Sequence, residues 1–471
     1  MRRKNIYLQN ITITGVAAEG KALAKLDGKV LFVEGAIPGD VVDIRLTKSK
    51  KDWAEAVITT IVTPSPQRVA AFCLHFGLCG GCKWQMLPYE LQLQYKQNEV
   101  LQNLTRLGKI ELPAINTILG SERQTEYRNK LEFTFSNKRY RTTAELAHCT
   151  SKTEIYNLPA EPALGYHVPK LFDKIIPIQH CHLMAEPTNS LRNYIFDFCV
   201  AQNYPFYDVR NHTGWLRNLM LRITTTGQVM LNVILAYDGA DTKVLLDNIL
   251  KKFTEITSLQ YTINNKHNDS IYDLTPIVYY GKAFIVEQLE QFMFTISAKS
   301  FFQTNTKQAE ILYQVTRNYA ELTGTQVLYD LYCGTGSIGI FCSAGAAKVI
   351  GVELIPEAIE NAKQNAAINH ITHTYFFAGD VAAICNNEFF ETHGRPDVIV
   401  TDPPRAGMHA ALIAQIVAMQ APIVVYVSCN SATQARDLQL LDAYYKVTAV
   451  QPVDMFPHTH HIENVVQLKL R

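Results

Sequence analysis

Asp330-Leu-Tyr-Cys-Gly-Thr-Gly-Ser-Ile-Gly339 is the stretch that decides the fold. An apolar strand over 326–330 leads into it, and a helix near 337–345 leads out. Gly334, Gly336 and Gly339 match G-x-G-x-x-G, a weak signal alone but one that cradles a nucleotide when it joins a strand to a helix. The next strand, 348–353, ends on Glu353, roughly 20 residues past the turn, where a carboxylate can accept both hydroxyls of a ribose. Working outward, a helix over 306–322 precedes the turn. A helix over 356–369 and strands over 397–401, 422–427 and 464–470 follow it. This alternation predicts a doubly wound, Rossmann-like α/β domain.

Asp330 stands immediately before the turn. An acid there repels a pyrophosphate, which normally sits at the helix start. It suits a cofactor with a cationic end, such as the amino and sulfonium groups of S-adenosylmethionine. A methyl donor is therefore favoured over a nicotinamide dinucleotide, the more remote reading, which would make the chain an oxidoreductase. Asp380, after Phe376-Phe377-Ala-Gly, is placed to bound the adenine.

Two further motifs fall at the same edge of the expected sheet. Asp397-Val-Ile-Val-Thr401 runs into Asp402-Pro403-Pro404-Arg405, and two prolines force the backbone to turn out of a central strand. Pro422-Ile-Val-Val-Tyr-Val427 runs into Ser428-Cys429-Asn430. Asp-Pro-Pro followed by an aromatic suits methylation of a base nitrogen. Here Arg405 follows, and a cysteine is added, which points to a ring carbon. Uracil C5 is a poor nucleophile until a thiolate adds to C6 and turns the ring into an enolate. A base must afterwards remove the C5 proton. Cys429 is the candidate nucleophile and Glu463, in His460-His-Ile-Glu-Asn-Val-Val466, the candidate base. A paired base cannot offer C6 to a thiol, so the target is unpaired or flipped out.

The chain has 471 residues, with 47% apolar, 18% charged and a net charge of +1. That is enough for several ordinary cores, and nothing global announces a nucleic acid. Basic clusters at Arg2-Arg3-Lys4, Lys48-Ser-Lys-Lys51 and Lys138-Arg-Tyr-Arg141 make a shared polyanion surface plausible. No apolar run approaches the roughly 18 residues of a membrane span. The N-terminus lacks a signal-peptide core, and the cysteine contexts suit a reducing cytoplasm. Residues 5–62 alternate short β runs with glycine turns and predict a small barrel of the OB type. Residues 125–300 read as a mixed β region. The expected boundaries are 1–64, 65–300 and 301–471, and a helix over about 89–107 packs on the last of these or stays in the second.

Cys73, Cys79 and Cys82 put three thiols within ten residues, with Cys149, Cys181 or Cys199 as the fourth. Zinc and an iron–sulfur cluster both fit four thiolates. The glycines at 80 and 81 let the backbone wrap a bulky cubane, which mildly favours iron–sulfur.

Together these pieces resemble, over essentially the whole chain, the RNA 5-methyluridine methyltransferase family. Residues 5–62, with Gly35-Ala-Ile-Pro-Gly-Asp40, look like its RNA-binding TRAM domain. Cys73, Cys79 and Cys82, followed by Lys83-Trp-Gln85, look like its 4Fe–4S motif, and Cys181 then best fits the fourth ligand. Gln303 in Phe301-Phe-Gln-Thr-Asn305, with Tyr332, Ser337, Glu353, Asp380 and Asp402, falls at cofactor-binding positions. Ser428-Cys429-Asn430 and His461-Ile-Glu463 match the nucleophile and base motifs. Two positions depart: Ser431 stands where the family usually has proline, and Ser337 where asparagine is frequent. Neither removes a reacting group. TRAM plus a cluster is typical of the ribosomal branch. The resemblance therefore implies a monomeric cytoplasmic enzyme that methylates uridine C5 in 23S rRNA, with a transfer-RNA uridine as the alternative.

Overall fold

The computed structural model describes residues 6–471. The chain divides into two compact units: one takes residues up to 77, 81–124 and 308–471, and the other takes 78–80 and 125–307.

The first unit begins with a six-stranded sheet. Its strands run, across the sheet, Tyr7–Thr12, Val41–Ser49, Trp53–Thr63, Lys29–Glu34, Ala22–Leu26 and Gly15–Val16. Side chains alternate across a strand, so Leu31, Val33, Ala54 and Ala56 share one core with Ile11, Ala22, Ala24, Val42 and Ile44. The turn before Val41 is locked by Asp40. Its buried carboxylate accepts from the backbone N–H groups of Ile37 and Ser65, both at 2.8 Å, and pairs with Arg68 at 2.6 Å.

The C-terminal part of this unit is a seven-stranded sheet. We label its strands β1 (Val327–Leu331), β2 (Lys348–Glu353), β3 (Thr374–Ala378), β4 (Val398–Thr401), β5 (Ile423–Ser428), β6 (Tyr445–Val453) and β7 (Glu463–Leu470). The spatial order is 3-2-1-4-5-7-6. The first five are parallel, and β7 runs antiparallel to both β5 and β6. Parallel strands covered on both faces become near-continuous apolar runs, and β4 and β5 are buried almost throughout. The order reverses beside β1, which makes the C-terminal ends of β1 and β4 the crevice where such sheets bind ligands. Helix α1 (Tyr89–Asn103) contributes Val100, with Leu104 just beyond it, to the same core as β1 and β5.

The second unit has its own seven-stranded sheet, ordered Ile277–Gly281, Ile256–Ile263, Val229–Leu235, Leu216–Ile223, Lys130–Ser136, Ala163–His167 and Ile175–Pro177. Helices Thr188–Ala201 and Ala240–Lys252 and a hairpin of Phe284–Leu289 with Phe292–Ser297 accompany it. Among the described residues no helix is long and apolar enough to cross a membrane.

Candidate active site

The glycine turn closes tightly after β1. Tyr332 holds a left-handed φ of 65°, Gly334 54° and Gly336 77°. A bulky aromatic in that region is strained, and such strain clusters at ligand sites. A Cβ on Gly336 would press on Ala362 and on the Phe376 ring at 3.0–3.1 Å, so only glycine lets the turn pass. Glu353 Oε2 accepts from Gly334 N–H at 3.2 Å and Oε1 from Ile355 N–H at 3.0 Å. The end of β2 is thereby fastened to the turn, with the carboxylate beside it. Ser337 opens the next helix, and its hydroxyl lies 3.0 Å from that of buried Tyr313. Asp380 is exposed and caps a short helix, accepting from Ala382 and Ala383 N–H at 3.0 and 3.2 Å.

The reading of Asp330 as an acid that faces the cofactor needs correcting. The side chain is 1% exposed, and Oδ2 is taken by Gly339 N–H at 2.8 Å. Its Oδ1 is buried with no protein partner. Burial pushes this carboxyl up to about 7, the Gly339 N–H opposing and Asp402 and Glu353 adding. Asp330 therefore ties the helix start to β1.

Strand register brings the candidate reacting groups together. Ser428 of β5 pairs with Asn464 of β7. Cys429 follows the first and Glu463 precedes the second, so they stand at one end of adjacent antiparallel strands. Thr401 of β4 pairs with Leu331 and with Tyr426, which puts Asp402 beside that end. The Arg405 carbonyl accepts from Asn430 Nδ2 at 3.1 Å and from Thr433 Oγ1 at 3.2 Å, joining the Asp-Pro-Pro-Arg turn to the cysteine loop. Asn430 also caps the helix Ser431–Leu441 through Ala432 N–H at 3.1 Å. Ser431 accepts from Asn103 Nδ2 at 2.8 Å, which gives this departure from the family proline a structural use.

These groups share one electrostatic field. Burial pushes the Cys429 thiol up to about 12, with Glu463 and Asp402 adding and Arg405 opposing. Burial raises Glu463 well above the usual carboxylate range, Asp402 adding and Arg405 opposing. Burial also raises Asp402. Two buried carboxyls that act on each other cannot both ionise readily, so the surroundings favour the neutral forms of the thiol and of Glu463.

Some residues the sequence reading passed over belong here. Tyr313 sits near enough to Asp402, Asp330 and Glu463 to feel all three. It lies mid-helix, and nothing local in the sequence marks it. His461 Nδ1 lies 3.4 Å from an Arg405 guanidinium nitrogen. Gln303 belongs to the second unit, buried, with its carbonyl accepting from Asn129 Nδ2 at 2.9 Å.

Among the described residues no group of three or more His, Cys, Asp or Glu is assembled to hold a metal ion. Cys73 and Cys82 fall in the first unit, Cys79 and Cys181 in the second. The donor chemistry still suits a cluster. Cys181 and Cys79 both act on the buried Tyr166 hydroxyl, and Gly80 has a left-handed φ with no room for a Cβ against Pro169.

The basic clusters also divide. Arg2-Arg3-Lys4 lies outside the described residues. Lys48 Nζ sits 4.9 Å from the Trp53 ring centre. Lys138, Arg139 and Arg141 are paired with Asp208, Glu145 and Glu161, which removes most of the charge expected to meet a polyanion there.

Comparison with known proteins agrees with this geometry. Residues 278–471 match the tRNA (uracil-5-)-methyltransferase family, and residues 4–59 match the TRAM domain. An RNA methyltransferase of Bacteroides thetaiotaomicron is 50% identical over 97% of this chain and 100% of its own length. Another from Porphyromonas gingivalis is 48% identical over 97% and 98%. The Pyrococcus abyssi tRNA (uracil-54, C5)-methyltransferase, solved with S-adenosyl-L-homocysteine, superposes with a TM-score of 0.74 at 25% identity, covering 98% of this chain and all of that one. The chain therefore belongs to the S-adenosylmethionine-dependent RNA (uracil-C5) methyltransferases, in a form that begins with a TRAM domain.

Proposed function

We propose that this enzyme methylates C5 of an unpaired uridine in 23S rRNA, with Cys429 as nucleophile and Glu463 as base. The observation that carries the reading is the register that stands Cys429 and Glu463 at one end of adjacent strands, with Asp402 beside them. Cys429 Sγ bonds to C6, and the electrons pushed through the ring make C5 nucleophilic. S-adenosylmethionine supplies the methyl group as an electrophile on a sulfonium. Glu353, Tyr332, Ser337, Asp402 and Asp380 line or border the turn that would hold it, with Gln303 assigned to it by family position. Glu463 then takes the C5 proton, the C5=C6 double bond re-forms, and the C6–S bond breaks with its electrons on sulfur. Arg405 offsets the negative charge of this crowded site.

The ribosomal substrate is preferred because a TRAM domain and a cysteine motif accompany the catalytic part. A transfer-RNA uridine is the second reading, favoured by the likeness to the Pyrococcus enzyme. Mass mapping of methylated uridines in RNA from cells lacking this protein separates the two. Loss of a 5-methyluridine from 23S rRNA supports the first, and loss from tRNA alone refutes it.

We further propose that Cys73, Cys79, Cys82 and Cys181 take up a 4Fe–4S cluster. The thiolate donor set and the tight glycine at 80 support it. Anaerobic purification followed by iron and sulfide analysis tests it. Zinc, or no metal, in protein that binds S-adenosylhomocysteine refutes it.

A further inference from the structure

Glu463 opens β7 directly after residues 454–462, a loop with no strand or helix of its own. A buried polar network fastens this loop to α1. Lys96 Nζ pairs with Asp454 Oδ1 at 2.6 Å, both side chains fully buried, and donates to the Phe456 carbonyl at 3.1 Å. Tyr89 donates its hydroxyl to Asp454 Oδ2 at 2.8 Å. Gln308 Nε2 donates to the Asp454 carbonyl at 2.7 Å.

Gln92 holds the middle of the loop. Its Oε1 accepts from His458 N–H at 2.8 Å, and its Nε2 lies 3.2 Å from His458 Nδ1. The same Nε2 donates to the carbonyls of Trp84 at 3.1 Å and Leu87 at 2.9 Å. The His458 carbonyl in turn accepts from Lys83 and Trp84 N–H, at 2.7 and 3.0 Å. Phe72 meets the imidazole edge-on at 5.1 Å. His458 has a left-handed φ of 64°, a conformation that persists when the surroundings over-determine it. The segments that flank Cys73 and Cys82 thus grip the same residue that Gln92 grips.

Cys429 is mounted differently, through Ser428, Asn430 and the Arg405 carbonyl. The nucleophile and the base therefore hang on different hydrogen bonds, which meet where His461 lies beside the Arg405 guanidinium and where Asn103 of α1 binds Ser431. We propose that Gln92, with Lys96 beside it, is a positioning residue for the base: it sets the loop 454–462 so that Glu463 reaches the C5 proton. This rests on the reading of Glu463 as the base, and it adds a dependence on residues that touch no reactant.

The different mountings give a signature that a general structural role lacks. Addition of Cys429 to C6 and methylation of C5 come before proton removal. Loosening the loop should leave those steps intact and slow the release of the adduct. The test uses the full-length enzyme, S-adenosylmethionine and a transcript that the wild type methylates, prepared with uridine or with 5-fluorouridine. With 5-fluorouridine no C5 proton exists, so adduct formation reports the early steps alone. Gln92→Met removes the amide at similar volume. It is expected to slow release from uridine RNA by about 10- to 100-fold, the scale on which a misplacement near 1 Å acts. A methylated protein–RNA complex then accumulates, while the rate of adduct formation on 5-fluorouridine RNA is unchanged. Thr459→Val is a milder variant. It removes the hydroxyl that accepts from His461 N–H at 3.2 Å and donates to the Phe456 carbonyl at 2.8 Å. The same split is expected at smaller size, and it carries the test if Gln92→Met does not fold. Equal loss on both RNAs, or no accumulation in either folded variant, overturns the inference. Glu463→Gln serves as the control: if it accumulates no adduct, the reading of the base fails and takes the inference with it.

Discussion

The reactivity of Cys429 in the unliganded enzyme follows from its surroundings. Its thiol is pushed up to about 12 from an ordinary 9.0. The thiolate is the reacting species, so at any pH below 9 the reactive fraction falls about 1,000-fold relative to an exposed cysteine. A more basic thiolate is also a better nucleophile, with a Brønsted slope of about 0.4–0.5, which returns roughly 15- to 30-fold. The net expectation is alkylation by iodoacetamide about 30- to 70-fold slower than for a small-molecule thiol at pH 8. The assay is peptide-level mass spectrometry of Cys429 labelling between pH 7 and 11, where the rate should climb about tenfold per pH unit. Asp402→Asn removes a group that raises the thiol and should shift the profile to lower pH. Arg405→Ala removes the opposing cation and should shift it to higher pH. A labelling midpoint at or below 9, or shifts of the opposite sign, would refute the electrostatic account of the site.

Cys429→Ala is expected to abolish methyl transfer while RNA retention on a filter is preserved; substantial turnover removes the covalent route. Lys96→Met leaves Asp454 buried without its cation and should destabilise the fold by about 3–5 kcal/mol, read from urea unfolding; a loss below about 1 kcal/mol means that the pair carries little. Asp40 lies below its ordinary 3.8: burial raises it, but Arg68 and the N–H groups of Ser65 and Ile37 outweigh that. Its contribution is therefore complete above the unfolded carboxylate value and is lost as pH falls through the folded one. Asp40→Asn should flatten the acid limb of the stability–pH profile, and an unchanged limb refutes the assignment.

The α/β fold was legible because two periodic signals coincide. Central parallel strands are buried on both faces and so read as unbroken apolar runs, and the glycine turn marks where the first of them becomes a helix. The strands that escaped notice are the two at the sheet edges. β3 is half-exposed, and β6 carries Lys446, Thr448, Gln451 and Pro452, because edge positions tolerate polar residues and proline. The short strands and glycine turns of the TRAM sheet were equally readable, since alternation survives in any sheet with one buried face.

Residue types and their local spacing thus determined the chemistry: a thiol after one apolar strand, a carboxylate before another, and a turn that admits only glycine. Register and packing decided the rest. The antiparallel pairing of β5 with β7 sets Cys429 beside Glu463 across more than thirty residues of chain. Folding alone buried Asp330 against Gly339, brought Tyr313 to the carboxylates, and laid Gln92 against His458. Each of these joins residues from separate elements, and a contact between distant elements depends on three-dimensional packing that no local periodicity encodes.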